Sequence, residues 1–230
     1  MKKYAILVAG GSGMRMQSLV PKQFLMLDER PVLFHTLEKF YNADLETELL
    51  VVLPKNHIAS WEQLVQGYSF SVRHRIIEGG ETRFHSVKNG LDAIEGDGIV
   101  AIHDGVRPMV SEKLINFLFD EADRVGNAVP CTPVNESMRT VSGSKNFLTD
   151  RNMYRLIQTP QVFRLNQLKR AFEQPYTMMF TDEANVAESS GIEINLVAGE
   201  VHNIKITTRE DLMMAEALLK SKEPRKESLR

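Results

Sequence analysis

The chain alternates short, continuous apolar runs with segments of helical spacing, and this alternation constrains the fold more than any other feature. Apolar runs rich in β-forming residues occupy positions 4–9, 49–53 and 99–103. Such runs are typical of strands that are buried on both faces of a parallel sheet. We therefore predict an α/β fold, a mostly parallel sheet with helices on both faces and right-handed crossovers.

The remaining elements are predicted from the same patterns. Ser111 is the expected N-cap of a helix that ends near residue 125. The other helices are expected at 31–42, 57–66, 81–94, 165–173, 182–190 and 209–219. Further strands are expected at 72–77, 128–131, 193–197 and 203–207.

Residues 135–155 interrupt this alternation because they are polar on both sides of any strand they form. Ser142-Gly143-Ser144 is typical of a hairpin turn. A lone hairpin is marginally stable in water, so we expect a projecting β-arm that is held by a partner in a symmetric dimer. The predicted organisation is a single domain over 1–221, with 135–155 as an inserted dimerisation arm and 222–230 as a charged, disordered tail.

The composition excludes several other classes of protein. The chain has 230 residues, a net charge of −2, 43% hydrophobic residues and 25% charged residues, which is unlike collagen, a coiled coil or a disordered chain. The near-neutral balance argues against nucleic acid as a partner, and no apolar run approaches the roughly 20 residues of a membrane span. A single cysteine, Cys131, and a short N-terminal apolar stretch favour the reducing cytoplasm.

The first apolar run ends in a glycine-rich loop, residues 9–15, with the sequence AGGSGMR. Glycines let backbone N–H groups turn toward an anion. A dinucleotide fingerprint is excluded because Met16 stands where its third glycine belongs, and the Gly-Lys-Ser/Thr of a Walker loop is absent. The loop is therefore either another kind of anion site or a tight turn.

Two cations near this loop favour the anion site. Arg15 and Lys22 flank residues 16–21, and a pair of cations beside backbone amides suits a triphosphate. Pro21 fixes the backbone from which Lys22 emerges, which argues against the alternative of a turn with unrelated surface cations.

A second glycine element, residues 78–83 with the sequence EGGETR, follows a predicted strand and opens a helix that carries Ser86. Loops at helix N-termini bind anions. The alternative is a loop and a helix cap without a ligand.

A third element, residues 103–108 with the sequence HDGVRP, lies at the carboxyl end of a predicted strand, where ligands bind in open α/β sheets. Asp104 fits a Mg²⁺ ligand beside phosphates, and Arg107 fits a phosphate contact. The alternative is a salt bridge that closes the loop. We expect His103 to be half-buried and hydrogen-bonded rather than a base.

Four later motifs, at 150–151, 159–161, 181–184 and 203–205, stand apart in the sequence. Each by itself has a structural explanation. Thr181, for example, is placed to N-cap a helix that begins at Asp182, whose carboxylate and that of Glu183 would complement the helix dipole.

Together, these motifs resemble those of the 2-C-methyl-D-erythritol 4-phosphate cytidylyltransferase family. The resemblance runs from about residue 4 to residue 219 and is carried by residues 10–16, 21–23, 79–83, 103–108, 159–161, 181–184 and 203–205. Single motifs are shared among sugar nucleotidyltransferases, whereas the ordered set is specific. The resemblance implies a Rossmann-like sheet of the nucleotide-diphospho-sugar transferase type with a projecting β-arm.

The resemblance also implies a reaction, in which CTP and methylerythritol phosphate give 4-diphosphocytidyl-2-C-methyl-D-erythritol and pyrophosphate, with Mg²⁺ as cofactor. The attacking phosphate monoester is already mostly dianionic at pH 7, since its second pKa is about 6. No general base is required, and catalysis is expected to consist of positioning and charge stabilisation.

The site residues implied by the resemblance fall into three groups. The residues expected to stabilise charge or position the sugar phosphate are Arg15, Lys22, Arg151 and Lys205. The nucleotide contacts are expected from Ala9, Gly10, Gly11, Gly13, Gly80 and Ser86. The sugar phosphate contacts are expected from Asp104, Arg107 and Thr181, with Asp104 also near the metal. The implied homodimer delivers Arg151 across the arm to the other subunit.

Two rival functions compete with this one. A ribitol 5-phosphate cytidylyltransferase shares the glycine loop, the lysine and the fold, but the motifs at 159–161 and 181–184 favour methylerythritol phosphate. A non-catalytic nucleotide-binding protein on the same fold is disfavoured because Arg15, Lys22 and Asp104 are all present.

Overall fold

The computed structural model of the chain describes residues 1–10 and 20–222. Its strands within these ranges are β1 (Lys3–Val8), β2 (Met26–Leu27), β3 (Arg30–Pro31), β4 (Glu48–Leu53), β5 (Arg75–Glu78), β6 (Ile99–Asp104), β7 (Asn127–Pro133), β8 (Met138–Ser142), β9 (Lys145–Thr149), β10 (Arg155–Ile157), β11 (Gln161–Arg164) and β12 (Leu196–Ala198). Its α-helices are α1 (Val32–Ala43), α2 (Lys55–Gly67), α3 (Arg83–Asp92), α4 (Glu112–Val125), α5 (Leu165–Ala171), α6 (Glu183–Ser189) and α7 (Arg209–Lys222).

The main sheet has the strand order β10-β7-β11-β6-β1-β4-β5, and β12 pairs with β7. Strands β6, β1, β4 and β5 are parallel to one another, as predicted. Val8 lies opposite Asp104, and Leu53 lies opposite Glu78, so the carboxyl ends of these four strands meet at one edge of the sheet. Strand β11, which the apolar pattern did not predict, runs antiparallel between β6 and β7.

Alternate side chains of β1 enter two different cores, because successive residues of a strand point to opposite faces. Ala5 and Leu7 belong to the core that includes side chains of α1, α2 and α4. Tyr4 and Ile6 belong to the core that includes side chains of α3, α5 and α6. The four side chains are at most 2% exposed. The prediction of helices on both faces is therefore confirmed.

The predicted arm contains a hairpin. Strands β8 and β9 pair antiparallel, with Ser142 opposite Lys145. Gly143 has φ of 59°, a left-handed value that glycine adopts at little cost. Several apolar side chains of the arm are exposed in the single chain, including Val141 at 72% and Leu148 at 82%.

Two local predictions are wrong. Residues 203–207 form no strand; instead, the Ile206 N–H donates to the Val106 carbonyl at 2.9 Å. Thr181 does not cap α6, because the Asp182 carboxylate accepts the Asn185 N–H at 2.9 Å and is itself the N-cap. The predicted cap of α4 is confirmed, since the Ser111 Oγ accepts the Leu114 N–H at 3.0 Å.

Two further predictions meet the limits of the described ranges. The tail at 222–230 lies outside them except for the backbone of Lys222. Among the helices in the described part of the chain, none is long and apolar enough to cross a membrane.

Candidate active site

A cavity of about 370 Å³ opens at the edge where the parallel strands end. Its walls come from the loops that follow β1, β4, β5 and β6, together with a 3-10 turn at Lys22–Phe24 and a segment that precedes α7. Predicted site residues that line it are Ala9, Gly10, Lys22, Gly80, Ser86, Asp104 and Lys205. The predicted residues Gly11, Gly13 and Arg15 lie outside the described residues.

The start of α3 shapes one wall of this cavity. Thr82 caps the helix by accepting the His85 N–H, and the Gly80 N–H donates to the buried Ser86 Oγ at 3.1 Å. A Cβ on Gly80 would lie 2.4 Å from the Cβ of His85, so a side chain there would force the loop to move. The loop is thus held against the helix terminus, with its backbone at the cavity wall.

Three cations surround the Asp104 carboxylate, which is almost completely buried. The Lys205 Nζ lies 2.9 Å and the Arg107 Nε 3.2 Å from Oδ2, and an Arg83 nitrogen lies 3.7 Å from Oδ1. Burial raises the pKa of this carboxyl, but the charges of Arg83, Lys205 and Arg107 outweigh burial and hold the pKa well below its ordinary value of 3.8. Asp104 is therefore ionised.

The segment 203–206 brings Lys205 to Asp104. The Arg107 Nη1 donates to the Asn203 carbonyl at 2.7 Å, and the Asn203 amide donates to the Thr159 carbonyl at 2.8 Å. Asn203 is completely buried. The salt bridge of Arg107 and Asp104, which was the alternative to ligand contacts, is present, and both residues also line a cavity.

A smaller cavity of about 180 Å³ adjoins the first, and its lining includes Thr181, Arg107, Thr159 and Gln161. Both cavities are also lined by the same three side chains: Arg83, Asp104 and Lys205. The sequence motifs at 159–161, 181–184 and 203–205 therefore meet at one place, although they are distant in the chain.

Arg83 and Glu183 are functional candidates that the sequence analysis missed. Both Glu183 carboxylate oxygens accept hydrogen bonds from Arg83, one of them at 3.0 Å from Nη2. Burial lowers the pKa of Arg83, but Glu183 and Asp104 outweigh burial and raise it, so the guanidinium keeps its charge. Both residues stand in motifs that carry the family resemblance, at 79–83 and 181–184. The two residues are 100 positions apart in the chain, so neither motif by itself indicates that they pair.

His103 is hydrogen-bonded, as predicted, but it is buried more deeply than predicted. Its side chain is completely buried rather than half-buried, and its ring nitrogens lie 3.1 Å from the Thr159 Oγ and 3.2 Å from the Arg107 carbonyl. Burial lowers its pKa to about 3, which leaves the ring neutral at pH 7.

Arg151 stands apart from the other predicted site residues that the structure describes in its own chain. It is exposed in a 3-10 turn at Arg151–Met153 and donates to the Asn135 carbonyl. It lines neither of the two adjoining cavities.

The cavities suit anionic ligands, because Lys22, Arg83, Arg107 and Lys205 contribute to their walls. A mostly parallel α/β sheet with loops at its carboxyl edge and a cation-lined pair of adjoining cavities is typical of a nucleotide-binding protein.

Comparisons with known proteins narrow the class to a family. The family model described as 2-C-methyl-D-erythritol 4-phosphate cytidylyltransferase matches residues 4–221. A relative of that name from Bacteroides fragilis is 48% identical over 95% of this chain and 100% of the relative, and one from Porphyromonas gingivalis is 46% identical over 96% and 99%. The crystal structure of the enzyme from Thermus thermophilus is 30% identical, with a TM-score of 0.78 over 96% of this chain and 100% of that one. The chain belongs to this family.

We expect Asp104→Asn to lower the free energy of unfolding by about 3 kcal/mol at pH 7, because it leaves three partly buried cations without their common partner. The folded-state pKa of Asp104 lies below its unfolded value, so the stabilisation is present above pH 3.8 and is lost as the pH falls. The gap between variant and wild type should narrow by ~1.4 kcal/mol per pH unit below that value. Denaturant titrations from pH 7 to pH 3 measure this difference in unfolding free energy, with Asp123→Asn, a change at an exposed position, as the control. A difference that grows as the pH falls would contradict the lowered pKa of Asp104.

Proposed function

We propose that the two adjoining cavities hold the two substrates of the family reaction, CTP in the larger and methylerythritol phosphate in the smaller. The chain is a nucleotidyltransferase that joins these substrates in the non-mevalonate pathway of isoprenoid biosynthesis. The observation that carries the placement is the shared wall, since Arg83, Asp104 and Lys205 line both cavities. Two phosphate groups that react must meet at such a boundary.

The nucleotide is assigned to the larger cavity because glycine-containing loops line one side of it. Ala9, Gly10 and Gly80 line this cavity, and Ser86 supports the Gly80 loop.

We assign Gly11, Gly13 and Arg15 to the same nucleotide site from their positions in the glycine loop. Lys22 faces the cavity from the other side, where its charge would stabilise the α-phosphate and the departing pyrophosphate.

The sugar phosphate is assigned to the smaller cavity. Its oxygen attacks the α-phosphorus of CTP; a new P–O bond forms, and the bond from the α-phosphorus to the bridging oxygen of pyrophosphate breaks. Arg107 and Lys205 offer positive charge to the sugar phosphate, while Asp104 and Thr181 offer groups for its hydroxyls. The neutral, hydrogen-bonded His103 is consistent with a reaction that needs no protein base.

We propose Mg²⁺ as the cofactor, bound chiefly by substrate phosphates. Among the described residues no group of three His, Cys, Asp or Glu side chains is placed to hold a metal. Mg²⁺ often uses one or two carboxylates together with phosphates and water, and Asp104 is an ionised carboxylate at the wall of both cavities. When bound, the metal neutralises phosphate charge.

We also propose a cytoplasmic homodimer that forms through the arm at 135–155. The exposed apolar side chains of β8 and β9 are the kind of surface that a second copy would cover. Arg151, exposed at the returning end of the arm, would then reach the sugar phosphate of the neighbouring subunit.

A direct assay tests the substrate assignment. The protein is incubated with CTP and Mg²⁺ and with either methylerythritol phosphate or ribitol 5-phosphate, and pyrophosphate release is measured. We expect release with methylerythritol phosphate. Release with ribitol 5-phosphate alone would overturn the substrate, and release with neither would overturn the reaction.

We expect Lys22→Ala to lower kcat by roughly 10²–10³ without unfolding the protein, because one preorganised charge donor is lost. Pyrophosphate release and thermal unfolding are compared with those of Lys113→Ala, a change at an exposed lysine of α4 that lines neither cavity. Wild-type turnover in Lys22→Ala would refute the role of Lys22, whatever its melting temperature.

Complementation tests the shared site. Arg151→Ala should weaken the use of methylerythritol phosphate while leaving CTP binding nearly intact. Subunits with Arg151→Ala are mixed with subunits with Lys22→Ala after mild dissociation. In a hybrid dimer, one site combines Lys22 of one chain with Arg151 of the other, so activity should return. If proven hybrids stay as inactive as their parents, Arg151 acts within its own chain.

A further inference from the structure

Glu183 is a completely buried carboxylate in the first turn of α6. Its neighbours Ala184, Val186 and Ala187 contribute to the apolar core, so the surroundings offer little to offset the cost of removing a charge from water. Its described hydrogen-bond partner is the guanidinium of Arg83, which it engages through both oxygens.

Stability alone is a weak explanation for this pair. Burying two charges costs about as much as their attraction returns, and well-packed apolar residues often serve as well. Asp182 already caps α6, so the helix does not need the Glu183 carboxylate for its N-terminus. The pair is therefore more informative about the site that Arg83 lines than about the packing of α6.

Arg83 is held at a distance from Asp104. Its nearest nitrogen lies 3.7 Å from Asp104 Oδ1, which is beyond hydrogen-bond range, while both of its terminal nitrogens bond to Glu183. Lys205 and Arg107 bond to Oδ2. Within the described residues, Oδ1 therefore has no hydrogen bond, although it belongs to a carboxylate at the wall of both cavities.

We propose that Glu183 is a positioning residue that keeps Arg83 from closing on Asp104 and so leaves Asp104 Oδ1 open to a hydroxyl of the sugar phosphate. This inference rests on the proposed placement of the sugar phosphate in the smaller cavity. Arg83 can pair in two directions, and a bidentate Arg–carboxylate pair is strong enough to decide between them. Glu183 draws the guanidinium away from the oxygen that the substrate needs.

Glu183→Gln tests this directly, because glutamine keeps the size of the side chain and removes its charge. Arg83 should then turn to Asp104, and the KM for methylerythritol phosphate should rise by about 10- to 100-fold, the range expected when a hydrogen bond to a charged group is lost. The Kd for CTP alone, measured by calorimetry, should change by no more than about threefold. A merely structural role of Glu183 would instead weaken the binding of both substrates together.

The double variant Arg83→Gln/Glu183→Gln provides the sharper comparison. It leaves neither member of the pair as an unpartnered buried charge, and it removes the group that blocks Oδ1. Its KM for methylerythritol phosphate should be lower than that of Glu183→Gln. A KM as high as that of the single variant, or an unchanged KM in Glu183→Gln, would overturn the positioning role.

Two further variants keep the test decisive. Glu121→Gln is the matched control, because Glu121 also accepts hydrogen bonds from two nitrogens of an arginine, Arg124, but lines neither cavity. It should leave the KM unchanged. If Glu183→Gln does not fold, Glu183→Asp replaces it, because the shorter carboxylate is expected to reach only one nitrogen of Arg83. The KM for methylerythritol phosphate should then rise by a smaller factor, and the Kd for CTP should stay nearly unchanged. Equal losses for both substrates would count against the proposal.

The outcome is separable from the substrate assignment. Calorimetric binding of methylerythritol phosphate and the pyrophosphate assay are both run on the wild type. A wild type that binds and turns over this substrate, with no split in the variants, overturns the role of Glu183 alone. A wild type that does neither overturns the proposed function.

Discussion

The pairing of one buried carboxylate with three cations organises this site. Asp104 ends a fully buried strand, where burial by itself would favour the neutral acid. It stays ionised because Arg83, Arg107 and Lys205 converge on it from three separate parts of the chain. Arg83 at the start of α3, the loop after β6 and the segment before α7 are therefore held together by charge as well as by packing.

The sequence predicted the parallel part of the sheet because its information is local. An apolar run such as 49–53 can satisfy its side chains only when both faces are covered, and the structure covers them. Strand β11 was not predicted, since Gln161 and Arg164 interrupt its apolar character and its partners Ile102 and Ala128 are distant in sequence. The strand predicted at 203–207 is absent although its composition favours one. The buried Asn203 amide instead donates hydrogen bonds to Thr159 and Gln158.

The residues of the site also fall into a group that the sequence predicted and a group that it did not. Gly80, Asp104 and Lys205 stand in motifs that the sequence presents intact, and the structure brings them to one pair of cavities. The Arg83–Glu183 pair was not predicted because each member has a sufficient local explanation, one as part of a loop and the other as an acid in the first turn of a helix. Only the packing of α3 against the same core as α6 shows that they meet.

The balance of charge also explains why acids belong in a site for two anions. Cations alone would hold phosphate groups of substrate and product alike, and uniform binding of this kind does not accelerate the chemical step. Around the boundary of the two cavities, the cations Arg83, Arg107 and Lys205 form ion pairs with Asp104 and Glu183. These acids hold the cations in place before any ligand arrives. Preorganised cations that are already paired can stabilise charge that develops on the reacting phosphates without making the cavities a general trap for anions.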